Sequence, residues 1–275
     1  MRVWFACILA VLVALPSLAQ ERGSVRDQVE SSMVLTGTID IAADGKVSGY
    51  AIDRATRVPT GVLGLLARFV PGWRFEPAFV DGQPAAKRAY MSVRVVAKRQ
   101  GEGTVAVSIR DANFRQRAPG EHGTKGNMRP PRYPHAALRA GVAGTVYTIV
   151  RIDRDGQVLD AFAEQVDLRV LASEYALVRW RELMADAALH AARQWSFPEH
   201  PDAPGDDTWV ARVPVDFAIG RDEDRYGQWQ AYVPGPWQPP PWTGVRLAGG
   251  PGALPASGIF PVGQDLQLLT PMGGD

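Results

Sequence analysis

The chain has 275 residues, 46% of them hydrophobic and 21% charged, a composition that excludes a wholly disordered protein. It holds 30 basic against 29 acidic side chains, and Arg2 is the only charge among the first twenty residues, so the remainder balances at 29 against 29. That balance supplies no general attraction to nucleic acid, and the single cysteine, Cys7, excludes a disulfide framework and a cysteine-ligated metal site.

Met1-Arg2 precedes an apolar run from Val3 to Leu15, and Pro16-Ser17-Leu18-Ala19 follows with small residues at Ser17 and Ala19. A basic start, an apolar stretch and a small-residue site make residues 1–19 a signal peptide. The competing reading is an uncleaved inner-membrane anchor. A spanning helix wants roughly 20 apolar residues, and Val3 to Ala19 supplies 17 with a proline near its end. Cys7 lies inside the apolar run, where it acts as a small hydrophobe. The expectation is export.

After a polar leader to Glu30, Val34 to Ile41 alternates in the period of a half-buried strand. Asp44-Gly45 is a two-residue hairpin signal, and Lys46 to Ile52 is the return strand. Pro59 and Thr60 open a helix on which Val62, Leu65, Leu66, Phe69 and Val70 fall on one face, and Pro71-Gly72 stops it. Trp73-Arg74-Phe75-Glu76-Pro77, a turn at Asp81-Gly82, a strand over Ala89 to Ala97 and a further strand over Thr104 to Ile109 complete a first unit, residues 31–110. Residues Arg110 to Arg132 are rich in Gly, Pro, Arg and Asn without periodicity, and read as a solvated linker centred on 111–129.

The pattern then returns in residues 130–219. Thr145 to Ile152 is a strand, Asp155-Gly156 the hairpin turn, Val158 to Val166 the partner strand, and Ser173 caps a helix running to about Gln194. Its apolar set includes Leu177, Trp180, Met184, Ala187, Ala188 and Ala191; Trp195-Ser196-Phe197-Pro198 ends it, and Thr208 to Ala218 is the last strand. Asp-Gly and Trp-x-Phe occur in the same order in both units, 28 residues apart from Gly45 to Trp73 and 39 apart from Gly156 to Trp195. The expected fold class is α+β, two tandem small ββαβ units with antiparallel sheets. Residues 220–275 differ in kind. Nine of the chain's 22 prolines and ten of its 28 glycines fall after residue 220, punctuated by Tyr226, Trp229, Tyr232, Trp237 and Trp242. Such a segment favours extended conformations over regular elements. It reads either as a recognition arm or, the favoured choice, as a strap whose aromatics dock on the chain's own domains rather than stand in water.

The opening of the second unit, Pro130-Pro131-Arg132-Tyr133-Pro134-His135-Ala136-Ala137-Leu138-Arg139, followed by Gly144-Thr145-Val146 and Asp155-Gly156-Gln157-Val158, resembles the head of the TonB C-terminal domain family. The first unit supplies that family's other signature, Trp73-Arg74-Phe75-Glu76-Pro77. The resemblance covers residues 33–97 and 130–218. It implies a periplasmic, non-catalytic module that grips a short extended segment of outer-membrane transporters by adding it to a sheet edge. The edge it implies is the last strand, with Val210, Arg212, Val213, Val215 and Phe217, helped by Arg132, Tyr133 and Pro134. The implied partners are outer-membrane TonB-dependent transporters or other envelope proteins, with a second copy of the chain as a further candidate.

Members that energise transport have an anchored N-terminus with a histidine that couples to an inner-membrane proton-driven motor, and a long proline-rich spacer. Val3 to Ala19 holds no histidine, Glu21 to Ser32 is short, and the family's Gln-Pro ahead of Tyr-Pro is here Arg129-Pro130-Pro131-Arg132. A membrane-anchored energy transducer is therefore the alternative function, and a periplasmic enzyme the third. For an enzyme the chain offers no Gly-x-Ser-x-Gly, His-Glu-x-x-His, Ser-x-x-Lys or Walker loop. His122, His135, His190 and His200 have no metal-ligand spacing, and Asp153-x-Asp155-Gly156 departs from a calcium loop at Arg151 and Phe162. No catalytic residue, cofactor or metal is expected. Trp73 and Trp195 are expected as apolar plugs between helix and sheet.

Overall fold

A computed structural model of the chain describes residues 25–101, 103–115, 127–198, 207–220, 225–242, 250–256, 258–263 and 266–273. The expected signal peptide, most of the expected linker, and His122 and His200 lie outside the described residues. In chain order the elements are α1 (Val25–Gln28), β1 (Glu30–Ile41), β2 (Val47–Ile52), α2 (Thr60–Phe69), β3 (Ala78–Val80), β4 (Gln83–Ala85), β5 (Lys87–Gln100) and β6 (Thr104–Arg115). There follow α3 (His135–Arg139), β7 (Gly144–Asp153), β8 (Val158–Leu168), α4 (Glu174–Ala192), β9 (Thr208–Phe217), β10 (Gln230–Tyr232) and β11 (Phe260–Pro261). The architecture is mixed α+β with antiparallel sheets.

In the first sheet β1 pairs with β5 along its whole length, and its other side is shared by β10 at Glu30–Ser32 and β2 at Gly37–Ile41. β6 lies beyond β5. The second sheet runs β11-β9-β7-β8. Alternation in β1 turns Met33, Leu35, Ile39 and Ile41 to one face, where α2 lays Val62 and Leu66 against them, with Val70 just beyond its end. In the second sheet Val146, Val150 and Ile152 of β7 meet Leu177, Met184, Ala188 and Ala192 of α4. The Ser173 hydroxyl accepts a hydrogen bond from Ala176 N at 3.3 Å, capping α4 as its sequence suggests. Trp73 and Trp195 are 1% and 3% exposed, closing the two cores at the ends of their helices. Each satisfies its ring N–H on a backbone carbonyl, Met272 O at 3.2 Å and Arg129 O at 2.9 Å.

The two recurring sequence landmarks touch each other. Gly45, at φ +80°, accepts a hydrogen bond on its carbonyl from the N–H of Phe75 at 2.8 Å, and a Cβ on it would fall 2.2 Å from Phe75 O. Gly156, at φ +79°, does the same with Phe197 at 2.7 Å, with its Cβ position 1.9 Å from Phe197 O. Short bridges, Lys46 to Arg74 and Gln157 to Ser196, reinforce both. The turn therefore needs glycine for two reasons, a left-handed backbone and a close approach by the Trp-x-Phe segment. Each motif is half of one clamp.

β6 differs from its sequence reading, because it continues to Arg115, five residues into the stretch read as linker. Ala112 and Phe114 enter the first core while Asp111, Asn113 and Arg115 are buried on the opposite face. Burial of polar residues on the far face hides the strand from an alternation rule that expects them in water. The tail also departs from an entirely irregular chain. Within it lie β10, β11 and a 3₁₀ turn at Pro251–Ala253. Tyr226, Tyr232 and Trp242 dock on the two sheets, whereas Trp229 and Trp237 are 37% and 52% exposed.

Candidate functional site

The lead into the second sheet is built by prolines. Pro134 is extended at φ −61° and ψ 121°, and its carbonyl accepts the first helical hydrogen bond of α3, from Leu138 N at 2.9 Å. Tyr133, one residue earlier, donates its hydroxyl to Val142 O at 2.7 Å and sets its ring edge-on to Phe217 at 5.3 Å. Two of the expected site residues, one from the lead and one from the end of β9, are thereby in contact. Arg132 is exposed beside them.

Along β9 the side chains of Ala211, Val213, Val215 and Phe217 enter the core beneath α4. Of the expected peptide-binding residues, Val213, Val215 and Phe217 therefore offer a partner no side chain, and their backbone groups lie on the side paired with β7. Arg212 is 4% exposed and faces the other way, gripping Glu164 of β8 through two hydrogen bonds of 2.7 and 3.1 Å. Its side chain holds two strands together. Val262 N donates to Val210 O at 2.8 Å, so Val210 turns its carbonyl away from β7. The β9–β7 register is unbroken, and strand alternation therefore points the backbone groups of Arg212, Pro214 and Asp216 outward as well. Pro214 has no N–H to offer, and it stands at an outward position where the β9–β7 ladder loses nothing. Among the described residues, no strand lies opposite the outer side of β9 from Val213 to Phe217.

Residues that sequence reasoning missed form a buried polar seam where the two sheets face each other. Arg94 of β5 is 5% exposed; it pairs with Asp167 of β8 at 3.0 Å, donates to the Tyr147 hydroxyl at 3.0 Å, and lies 4.5 Å over the Tyr232 ring. Burial opposes its charge, and Tyr147, Asp167 and Tyr232 together outweigh that and raise its affinity for the proton. Glu30, 2% exposed, accepts from the Tyr232 hydroxyl at 2.7 Å and pairs with Arg110 and Lys98 at 3.2 and 3.3 Å. Burial alone would lift its carboxyl; the hydroxyl, Arg110 and Lys98 prevail and hold it below the usual range. Among the described residues Asp111 is held chiefly by backbone donors, with the Arg212 charge further off. Burial pushes its carboxyl up to about 6 against three backbone donors, Gly250, Ala253 and Ala112 at 3.1, 3.2 and 2.9 Å. A cavity of about 400 Å³ opens beside the seam between Ser32, Thr36, Tyr147, Arg169, Asp216 and Tyr226. Arg169 and Asp216 are themselves paired at 2.7 Å, so the cavity walls are largely charge-compensated. The signal for the seam was available as a charge inside an apolar strand, Val93-Arg94-Val95 and Ala211-Arg212-Val213.

His135 opens α3 and His190 lies in the last turn of α4, both exposed. Asp153 accepts from Asp155 N and Gln157 N at 3.0 and 2.8 Å, so this acidic loop uses its carboxylate to fold a hairpin turn. Among the described residues no group of three His, Cys, Asp or Glu side chains is placed to hold a metal, and no helix is long and apolar enough to cross a membrane.

Part of the chain is similar to Protein TonB. Over 93 residues it is 39% identical to that protein from Xanthomonas campestris pv. campestris, in each of two strains. The matched stretch is 34% of this chain and 36% of Protein TonB, so the chain spans about a third of the length of the curated relatives it matches. No family model and no solved structure matches the chain.

Proposed function

We propose that this is an exported, TonB-like, non-catalytic protein of the cell envelope that binds extended peptide segments by strand addition to β9, its partners being outer-membrane TonB-dependent transporters. The observation that carries the reading is the edge of β9: a strand paired on one side with β7 and without a strand opposite Val213–Phe217 on the other, among the described residues. Main-chain groups of such an edge form hydrogen bonds with any extended segment, and side-chain pockets add selectivity. Tyr133, packed on Phe217, holds the end of the edge in place. The similarity to Protein TonB supports the family, and the shared clamp of hairpin glycine and Trp-x-Phe supports descent of residues 31–110 and 130–219 from one duplicated ββαβ unit.

The two units would then have different roles. β5 occupies in the first sheet the place of β9 in the second, and its outer side is filled by β6 from Tyr90 to Gln100. The first unit serves as a scaffold and the second as the receptor. The test is titration of the mature chain with transporter-derived extended peptides, unmodified and N-methylated at alternate residues. Sub-millimolar binding that is lost when the inward-facing amides are methylated, and kept when the others are, is the expected result. No binding, or binding indifferent to methylation, would abandon strand addition.

A further inference from the structure

The Val210 end of the β9 edge is occupied by the chain itself. Phe260 stands opposite Arg212 and Pro261 opposite Ala211, and Val262 N closes the pairing on Val210 O. Phe260 is 2% exposed, with the Arg115 guanidinium 4.4 Å over its ring, and Ile259 packs on the core beneath α4. By the alternation that sets Val262 and Phe260 toward β9, Pro261 faces away. Its missing N–H therefore closes the sheet to further strands without weakening its hold on β9.

The segment is bounded by Gly258 at φ +128° and Gly263 at φ +93°. Both conformations are ones that only glycine adopts readily. At Gly258 a Cβ would fall 2.8 Å from Phe260 Cζ, so the turn is fitted around the ring. Gly258 also leads the chain away from β9 just where a longer strand would have continued along Val213–Phe217. An antiparallel partner that used the full edge would run through the place of Phe260. The occupant is therefore short, anchored by one ring, hinged at both ends, and seated across part of the surface an incoming strand needs.

We infer that Ile259–Val262 is a built-in occupant of the β9 edge which an incoming strand displaces, and that the incoming strand carries an aromatic residue where Phe260 stands. The inference rests on the proposed reading of β9 as a peptide edge. A displaceable internal ligand lowers the apparent affinity for the external one by the fraction of time the edge is open. The vacated pocket beneath Arg115 selects for a ring through stacking and cation–π attraction.

The full chain is compared with Phe260→Ala and with Val262→Pro, which keeps the buried ring and removes the bond to Val210. Two readouts are taken: hydrogen exchange at the Arg212 amide, and the affinity of a synthetic peptide of alternating Thr and Val with one central Phe. In both variants exchange is expected to rise, and the peptide to bind about tenfold more tightly than to the unaltered chain. Replacing the peptide's Phe by Ala is expected to cost about tenfold. Unchanged exchange in both variants overturns the occupancy, and equal affinity of all three proteins overturns displacement. Equal binding of the Phe and Ala peptides overturns the aromatic preference. Failure of every form to bind, with exchange raised, overturns strand addition itself and leaves the strap as the edge's own cover.

Discussion

The outer sides of β5 and β9 begin from the same place in their sheets and end differently. β5 is followed closely in sequence by β6, which pairs with it from Tyr90 to Gln100 with one register shift at Arg94–Val95. β9 is followed by the Pro- and Gly-rich tail, which returns to it only at Phe260–Pro261. An edge filled by a neighbour in sequence is filled at little loop-closure cost and stays filled. One filled by a distant, short segment is held weakly. The same tail also lies along β8, where Leu168 and Val233 exchange backbone hydrogen bonds at 3.1 and 2.8 Å and Gln238 N donates to Glu164 O at 2.8 Å. The strap thus covers part of both edges of the second sheet, and through β10 it also pairs with β1 of the first.

The seam between the two sheets carries the largest expected effect. Arg94→Met is expected to destabilise the chain by about 3–5 kcal/mol, because Asp167 is left buried without its cation. Urea denaturation reads this; a cost under about 1 kcal/mol would show that the sheets do not depend on the pair. The hairpin clamps come next. Gly45→Ala and Gly156→Ala each combine left-handed strain of about 1–2 kcal/mol with a clash worth about 1–3, whereas Gly82→Ala, at φ +75° with open space around it, carries the strain alone. Hydrogen exchange locates the damage, Gly45→Ala loosening the first sheet and Gly156→Ala the second. Equal effects at all three glycines would remove the clamp from the account.

Asp111 gives the fold a dependence on pH. Its folded carboxyl titrates near 6, above its ordinary value of 3.8, so the folded chain holds a proton that the unfolded chain has already released. Its contribution to stability therefore falls as pH rises from about 4 to about 6.5, by about 3 kcal/mol in full. Asp111→Asn cannot titrate, and the stability of the unaltered chain relative to this variant should decline across that window. Glu30 has the opposite sign, its contribution being present above the ordinary carboxylate range and lost as pH falls. A flat difference between chain and variant would mean that Asp111 is ionised in the fold. The smallest effect is reserved for Arg88→Ala. That side chain pairs with Asp40 at 2.6 Å while remaining 70% exposed, and its loss should leave the urea midpoint nearly unchanged.

Much of this was legible in the residues. The period of two in Val34–Ile41, the one-sided face of Val62, Leu66 and Val70, and the Ser173 cap follow from local sterics and burial, and they appear in place. The extension of β6 to Arg115 was not legible, since Asp111, Asn113 and Arg115 imitate a solvated linker until another part of the chain covers them. Nor were the roles of the residues chosen on β9. Alternation alone places Val213, Val215 and Phe217 on one face, but only the packed helix makes that face the interior, and only Glu164 turns Arg212 from a candidate contact into a buried pair.

Local sequence settles β1, β2, α2, β7, β8, α4 and β9, their Asp-Gly hairpins and the recurring Trp-x-Phe landmarks, because backbone conformation and amphipathic period act over a few residues. The tertiary structure alone decided that those landmarks clamp one another, that the polar faces of two sheets meet through Arg94 and Asp167, and that Phe260 returns to cover β9. These are contacts between residues far apart in the chain. Their energies come from mutual burial and charge pairing, and neither partner carries a mark of the other until the chain has folded.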